Sequence, residues 1–122
     1  MTKAVVVVED DLDMLELIKI VLRDESDLDI VGEVATGDEA VGVVEREQPD
    51  LVILNHFLDA DTRGLMLAPA LKRAAPRARI LLFSSHDLTI DAGREPAIDE
   101  FLMKQRLTSL VPTITRLLGS AA

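Results

Sequence analysis

Two patterns of apolar residues alternate along the chain. One is a short continuous run, such as AVVVV at Ala4–Val8, which is typical of a strand covered on both faces. The other is a recurrence every three or four positions, as in Leu15, Ile18 and Leu22, which is typical of one face of a helix. The continuous runs predict five strands, at Ala4–Val8, Leu28–Val34, Leu51–Leu54, Ala78–Phe83 and Phe101–Met103.

Helices are predicted between and after these strands. TGDE at Thr36–Glu39 has the spacing of a capping box before the second helix. Pro69 would cost about 3 kcal/mol in a helix interior but little in a first turn, so regular helix is predicted to begin near Leu67 or Ala68. The last three helices are predicted at Leu67–Ala74 before Pro76, Leu88–Ala92 before Gly93 and Pro96, and Ser109–Leu118 before Gly119.

Regular alternation of strand and helix predicts an α/β fold. Five strands and five helices favour a doubly wound, five-stranded parallel sheet with helices on both faces. Right-handed crossovers then place the carboxyl ends of all strands along one edge. The chain shows no internal repeat, linker or low-complexity segment, so one domain is predicted over residues 1–122.

Composition narrows the class of protein. The chain has 122 residues, no cysteine and a formal charge of −9, which exclude disulfides, disfavour nucleic acid and anionic lipid, and suit the cytoplasm. No segment approaches the roughly 20 apolar residues of a membrane span, and no signal-peptide pattern opens the chain. The one local basic group is interpreted as a solvated helix end rather than a phosphate site, and it comprises Lys72, Arg73, Arg77 and Arg79.

Polar side chains follow four of the predicted strands. Glu9 and Asp10 follow the first, Asn55 the third, Ser84 the fourth and Lys104 the fifth. Singly, each has a plain explanation as a helix-start carboxylate, a loop residue or a solvated charge. Together at one sheet edge they favour a pocket for metal-assisted phosphoryl transfer, with carboxylates for Mg²⁺, a hydroxyl for a phosphoryl oxygen and a lysine to balance charge.

These residues give the chain, from Lys3 to about Leu118, a resemblance to a family. VVVVEDD, ATGDEAV and QPDLVIL, with the later serine and lysine, resemble a response-regulator receiver domain of two-component signalling. The resemblance implies the flavodoxin-like (βα)5 fold. It also implies Mg²⁺ carboxylates at Glu9 and Asp10 with the Phe57 backbone as a further ligand, and it implies a phosphate pocket of Asn55, Ser84 and Lys104 and a switch pair of Ser84 and Phe101.

Departures from the family pattern alter the expected function. Asn55 stands where the family has its phosphate-accepting aspartate, and an amide has almost no nucleophilicity. Mg²⁺ is expected to bind weakly or not at all, since one carboxylate is missing. The loop from Asn55 to Gly64 is one residue longer than the pattern, with Asp59 in place of a proline. Gln105 replaces the proline after the lysine, so the Lys104–Gln105 bond is predicted to be trans, and the fourth helix is trimmed.

The leading hypothesis is a signalling module that is not an enzyme and acts through protein partners without phosphorylation of Asn55. The expected partners are a histidine kinase or a downstream regulator, and a homodimer through the fourth helix, fifth strand and fifth helix is a further expectation. No nucleic-acid or membrane partner is predicted.

Other hypotheses remain open at this point. In one, Asn55 is an engineered replacement for aspartate, or Asp59 or Asp61 accepts phosphate instead. In another, DLDML at Asp11–Leu15 is an acid-phosphatase-like motif, although the chain leaves little room for a cap. A flavin mononucleotide site is disfavoured, because acidic residues fill the phosphate-binding loop. His56 and His86 are interpreted as ordinary loop and surface histidines rather than metal ligands, since strand alternation points His56 away from Asn55.

Overall fold

A computed structural model describes residues 2–59 and 61–119 of the chain, so residues 1, 60 and 120–122 of the predicted domain lie outside the described part. It contains five strands, which are β1 (Lys3–Val8), β2 (Leu28–Val34), β3 (Leu51–Asn55), β4 (Arg79–Ser84) and β5 (Glu100–Met103). Five α-helices follow them in turn, namely α1 (Leu12–Arg23), α2 (Gly37–Glu47), α3 (Gly64–Ala74), α4 (Thr89–Arg94) and α5 (Leu110–Leu117).

The strands form one parallel sheet in the order β2-β1-β3-β4-β5. This confirms the doubly wound α/β fold. Alternate residues of the central strands face two separate cores: Val6 and Val8 pack with α2, α3 and α4, while Val5 and Val7 pack with α1 and α5. Residues 5–8 and 51–54 are all buried, which explains why these strands are continuous apolar runs.

The predicted start of α3 is wrong. The helix begins at Gly64 and includes Pro69 in its interior. The preceding loop sets this start, because the Gly64 N–H donates to the His56 carbonyl (2.6 Å) and the Leu65 N–H to His56 Nδ1 (3.3 Å). These bonds satisfy amides of the first turn, so the helix begins at Gly64, five residues before Pro69.

Other boundaries differ less. The Thr36 cap is confirmed, since its hydroxyl accepts from the Glu39 N–H at 3.3 Å. Gly93 lies inside α4 instead of stopping it. A 3₁₀ segment at Lys104–Ser109 was not predicted, and α5 begins only at Leu110. The Lys104–Gln105 bond is trans, as predicted. No helix in the described ranges has the length and apolar character to cross a membrane.

Asp99 organises the amino edge of the sheet and corrects the interpretation of Lys72 as a solvated charge. Its carboxylate accepts from Lys72 Nζ (2.7 Å) and from the Ile80 N–H (2.8 Å), and Arg79 lies 3.5 Å from its other oxygen. Lys72 also donates to the Ala78 carbonyl at 2.8 Å. The cluster therefore ties α3 to the start of β4 and to the residue before β5.

Gly64 is required by the close approach of α3 to the end of β3. A Cβ atom there would overlap the Asn55 carbonyl oxygen, which is backbone and cannot rotate away. Gly64→Ala is expected to lower the free energy of unfolding by about 2–3 kcal/mol, as overpacking does. Gly42→Ala in α2 is the control, because a Cβ there meets no atom within 4 Å and alanine should stabilise the helix by up to about 1 kcal/mol. Urea unfolding measures both, and equal effects would contradict the role given to Gly64.

Candidate functional site

The pairing of β1 with β3 brings the predicted pocket residues together. Val8 pairs with Leu54, so Glu9 and Asp10 emerge from the sheet beside Asn55. Glu9 and Asn55 are buried, with 2% and 7% of their surfaces exposed. Polar groups buried to this degree need partners, because an unpaired buried polar group is costly.

The side-chain amide of Asn55 has a defined orientation. Its Nδ2 donates to Asp10 Oδ1 at 3.0 Å and to the Phe57 backbone carbonyl at 2.6 Å. Both partners are acceptors, so only the NH₂ end of the amide can face them. Asn55 therefore joins the end of β1 to the loop that follows β3.

Glu9 forms a buried ion pair with Lys104. Glu9 Oε1 lies 2.8 Å from Lys104 Nζ, and only 13% of the lysine side chain is exposed. Glu9 Oε2 accepts from the Asp11 N–H at 3.2 Å. Burial raises the pKa of Glu9 above its ordinary value, and the Lys104 ammonium opposes part of that rise.

Ser84 and Phe101, the predicted switch pair, make contacts of their own. Ser84 is 1% exposed and its Oγ accepts from the His86 N–H at 3.1 Å, which shapes the loop after β4. Phe101 is half-buried against the core on the α3 and α4 side. It lines a cavity of about 410 Å³ beside α4, together with Thr89 and Gly93. The structure thus joins Glu9 to Lys104 and Asp10 to Asn55, while Ser84 and Phe101 contact other groups.

His56 is buried rather than an ordinary loop or surface residue, which corrects that interpretation. Only 8% of its surface is exposed, and Nδ1 accepts the Leu65 N–H. Burial lowers the pKa of His56, with smaller contributions from the charges of Arg63 and His86. This favours the neutral ring that the bond to Leu65 requires.

Phe57 is the centre of an aromatic cluster with His56 and His86 that was not predicted from the sequence. The Phe57 ring meets both histidine rings edge to face, with centroids 4.8 Å from His56 and 4.7 Å from His86. The Arg63 guanidinium lies 4.7 Å from the Phe57 ring centroid, a cation–π distance. The only sequence signal was a histidine–phenylalanine pair following a buried strand, which says little about a distant Arg63 or His86.

The side chain of Asp59 in the long loop bonds to the backbone of the same loop. Asp59 Oδ1 accepts from the N–H groups of Asp61 (3.0 Å) and Thr62 (2.8 Å). These hydrogen bonds lower the pKa of Asp59 below its ordinary value. Across the pocket, Gln105 Nε2 donates to the Ser85 carbonyl at 3.0 Å, which connects the 3₁₀ segment to the loop after β4.

The residues of this edge do not fit a Mg²⁺ site in their observed arrangement. Mg²⁺ requires near-octahedral oxygen coordination. Both Glu9 oxygens, Asp10 Oδ1 and the Phe57 carbonyl already accept internal hydrogen bonds or an ammonium. Within residues 2–59 and 61–119, no group of three or more histidine, cysteine, aspartate or glutamate side chains is arranged to hold a metal ion.

The family follows from comparison with known proteins. The model of the response regulator receiver domain matches residues 5–114, which is most of the chain. The chain therefore belongs to the response regulator receiver family of two-component signalling. Members of this family are signalling modules rather than enzymes in general, they interact with histidine kinases and effector domains, and they typically bind Mg²⁺ at the acidic pocket.

Individual relatives agree with this assignment. The response regulator protein VraR of Staphylococcus aureus is 29% identical over 98 residues, covering 78% of this chain and 46% of VraR. The chain thus spans about half the length of the curated relatives that it matches. A LuxR-family two-component response regulator from Aurantimonas sp. SI85-9A1 superposes with a TM-score of 0.88 at 21% identity, covering 98% of this chain and 87% of the other.

The response regulator domain of Thermotoga maritima CheB gives a TM-score of 0.84 at 20% identity, covering 98% of both chains. At these identities the structural likeness shows the fold alone.

Breaking the buried ion pair tests its contribution. Lys104→Met is expected to lower the free energy of unfolding by about 3–5 kcal/mol, because it leaves the Glu9 carboxylate buried without a counter-charge. The matched control is Lys19→Met, which breaks the exposed Lys19–Glu33 pair (3.3 Å) and should cost less than about 1 kcal/mol. Denaturant unfolding measures both. Adding Glu9→Gln to Lys104→Met should recover part of the loss, and a double variant as unstable as the single one would contradict this explanation.

Proposed function

We propose that the chain, over residues 1–122, is one receiver-like module that regulates other proteins by binding them, without phosphorylation at the end of β3. The observation that supports this proposal is the amide at Asn55, whose two N–H groups are both engaged by Asp10 and Phe57. A carboxylate can attack phosphorus to form an acyl phosphate, but an amide cannot. The usual chemical input of the family is therefore absent at its usual position.

The competing acceptors are poorly placed for the same reaction. Asp59 is exposed and bonded to the backbone of its own loop. Asp11 caps α1, since its Oδ1 accepts from the Asp13 N–H at 2.9 Å and the Met14 N–H at 3.3 Å. Asp11 therefore acts as a helix cap, which argues against the acid-phosphatase-like alternative and supports a module that is not an enzyme.

The proposed roles of the pocket residues follow from these contacts. Glu9 and Asp10 occupy the metal positions of the family but bind Mg²⁺ weakly or not at all. Lys104 neutralises Glu9, and Ser84 shapes the loop before α4. In this chain we assign these residues a structural role at the carboxyl edge of the sheet. In phosphorylated members of the family the matching residues would act on a phosphoryl group.

Partners are proposed from the family and from the surface. We expect a histidine kinase or a downstream regulator, bound through the loops at the pocket edge or through the face formed by α4, β5 and α5. That face is also the proposed homodimer surface, and its short α4 (Thr89–Arg94) borders the cavity lined by Phe101. The charge of −9 disfavours nucleic acid, and the lack of cysteine suits the reducing cytoplasm.

Exposure to a small phosphodonor tests the chemical part of the proposal. Wild-type protein incubated with Mg²⁺ and acetyl phosphate is expected to gain no acid-labile, hydroxylamine-sensitive phosphate, because Asn55 offers no carboxylate. Intact-mass and phosphopeptide analysis would detect it. Asn55→Asp is the matched variant, because it restores a carboxylate at this position. Stoichiometric acyl phosphate on Asp59, Asp61 or any other carboxylate of the wild type would overturn the proposal.

Affinity capture tests the interaction part. Wild type and Asn55→Asp, immobilised at equal density, are expected to retain the same set of partner proteins from the host cell extract, since binding is proposed to need no phosphorylation. Quantitative mass spectrometry compares the two sets, with the destabilised Gly64→Ala variant as a control for nonspecific retention. Partners that bind only Asn55→Asp, and only after acetyl phosphate, would contradict phosphorylation-independent binding.

A further inference from the structure

We infer that the side-chain amide of Asn55 takes the place of a divalent cation in this pocket. A cation at such a site has to hold a carboxylate and a backbone carbonyl together by attracting their oxygens. The Asn55 NH₂ group does this with its two N–H bonds, directed at Asp10 Oδ1 (3.0 Å) and at the Phe57 carbonyl (2.6 Å). The inference concerns the wild-type pocket itself and does not depend on which protein the module binds.

The charges of the pocket agree with this assignment. Of the two carboxylates at the end of β1, Glu9 is paired with the Lys104 ammonium, and Asp10 is bonded by the Asn55 amide instead. Asp10 is exposed to solvent and also accepts a hydrogen bond from the Asn55 amide. An aspartate at position 55 would instead put a third carboxylate beside Glu9 and Asp10, and a cation would then be needed to hold the three together.

The amide also organises the loop before α3. Phe57 forms an isolated bridge with Arg63, and the Leu58 N–H donates to the Thr62 carbonyl at 3.2 Å. The bond from Asn55 to the Phe57 carbonyl anchors this folded loop to β1 through Asp10. Protein groups therefore hold the wild-type loop, and we expect its geometry not to depend on Mg²⁺.

Thermal unfolding with and without Mg²⁺ tests the replacement. Wild type should melt within about 1 °C of the same temperature in EDTA and in about 10 mM Mg²⁺, with NaCl matching the ionic strength. Asn55→Asp should melt lower in EDTA and gain about 5 °C from the same Mg²⁺, the shift expected for a site with a dissociation constant near 1 mM. Asn55→Ala should melt lower than wild type and gain nothing from Mg²⁺, since it has neither the donors nor a carboxylate.

A wild type that gains as much from Mg²⁺ as Asn55→Asp would overturn the inference. So would an Asn55→Asp protein that does not respond, or an Asn55→Ala protein as stable as wild type, because either result removes the amide as the group in the cation position. Should Asn55→Ala fail to fold, Asp10→Asn takes its place: it keeps an acceptor oxygen for Nδ2 and should melt within about 2 °C of wild type, whereas Asp10→Ala should not.

Paramagnetic Mn²⁺ gives a second readout, and its wild-type measurement does not depend on the folding of any variant. Substoichiometric Mn²⁺ should broaden the backbone amide signals of Asp10 and Phe57 in Asn55→Asp, and should leave them no broader than those of exposed acidic residues such as Asp38 in wild type. Selective broadening at Asp10 and Phe57 in wild type would overturn the inference. If that wild type also stayed unphosphorylated by acetyl phosphate, the proposed function would stand while this inference failed, so the two are separable.

Discussion

The pairing of β1 with β3 is the constraint on which the functional edge depends. Both strands lie in the middle of the sheet, with Val5–Val8 and Leu51–Leu54 buried on both faces. A slip of one residue would exchange the two cores and move the polar groups that follow. Because Val8 is held opposite Leu54, Glu9 and Asp10 must lie beside Asn55, and Lys104 reaches Glu9 from the residue after β5.

At each edge of the sheet a carboxylate with little exposure to solvent is paired with a lysine ammonium and a backbone N–H. At the amino edge, Asp99 is surrounded by Lys72, Arg79 and a backbone N–H. At the carboxyl edge, Glu9 is satisfied by Lys104 and the Asp11 N–H. Among the described residues no buried side-chain nitrogen or oxygen lacks a hydrogen-bond partner. The pocket is thus a complete hydrogen-bonded unit, and a ligand that entered it would have to replace existing bonds.

The strands were predictable because continuous apolar runs follow directly from residue type. The grouping of Glu9, Asp10 and Asn55 was predictable because parallel strands share one carboxyl edge. The features that were not predicted depend on contacts between residues that are separated in sequence. The start of α3 is set by His56 reaching Gly64 and Leu65, which outweighs the local preference of Pro69. The 3₁₀ segment after β5 begins where Lys104 turns toward Glu9, and no local pattern marks it. The Phe57 cluster likewise depends on Arg63 and His86.

An asparagine at the end of β3 changes the chemistry of a receiver with little change in its shape. Aspartate and asparagine have nearly the same volume, and Gly64 approaches the backbone carbonyl that both residues share, so α3 keeps its place. The difference lies in charge and in hydrogen-bond direction: an aspartate oxygen attracts cations, whereas Nδ2 donates to the same oxygens a cation would bind. Lys104 pairs with Glu9, so a second charge of this edge is matched inside the protein. If the Asn55 amide takes the place of the cation, as we infer, the loops of this edge keep their places without an external ion, and the proposed phosphorylation-independent binding requires this.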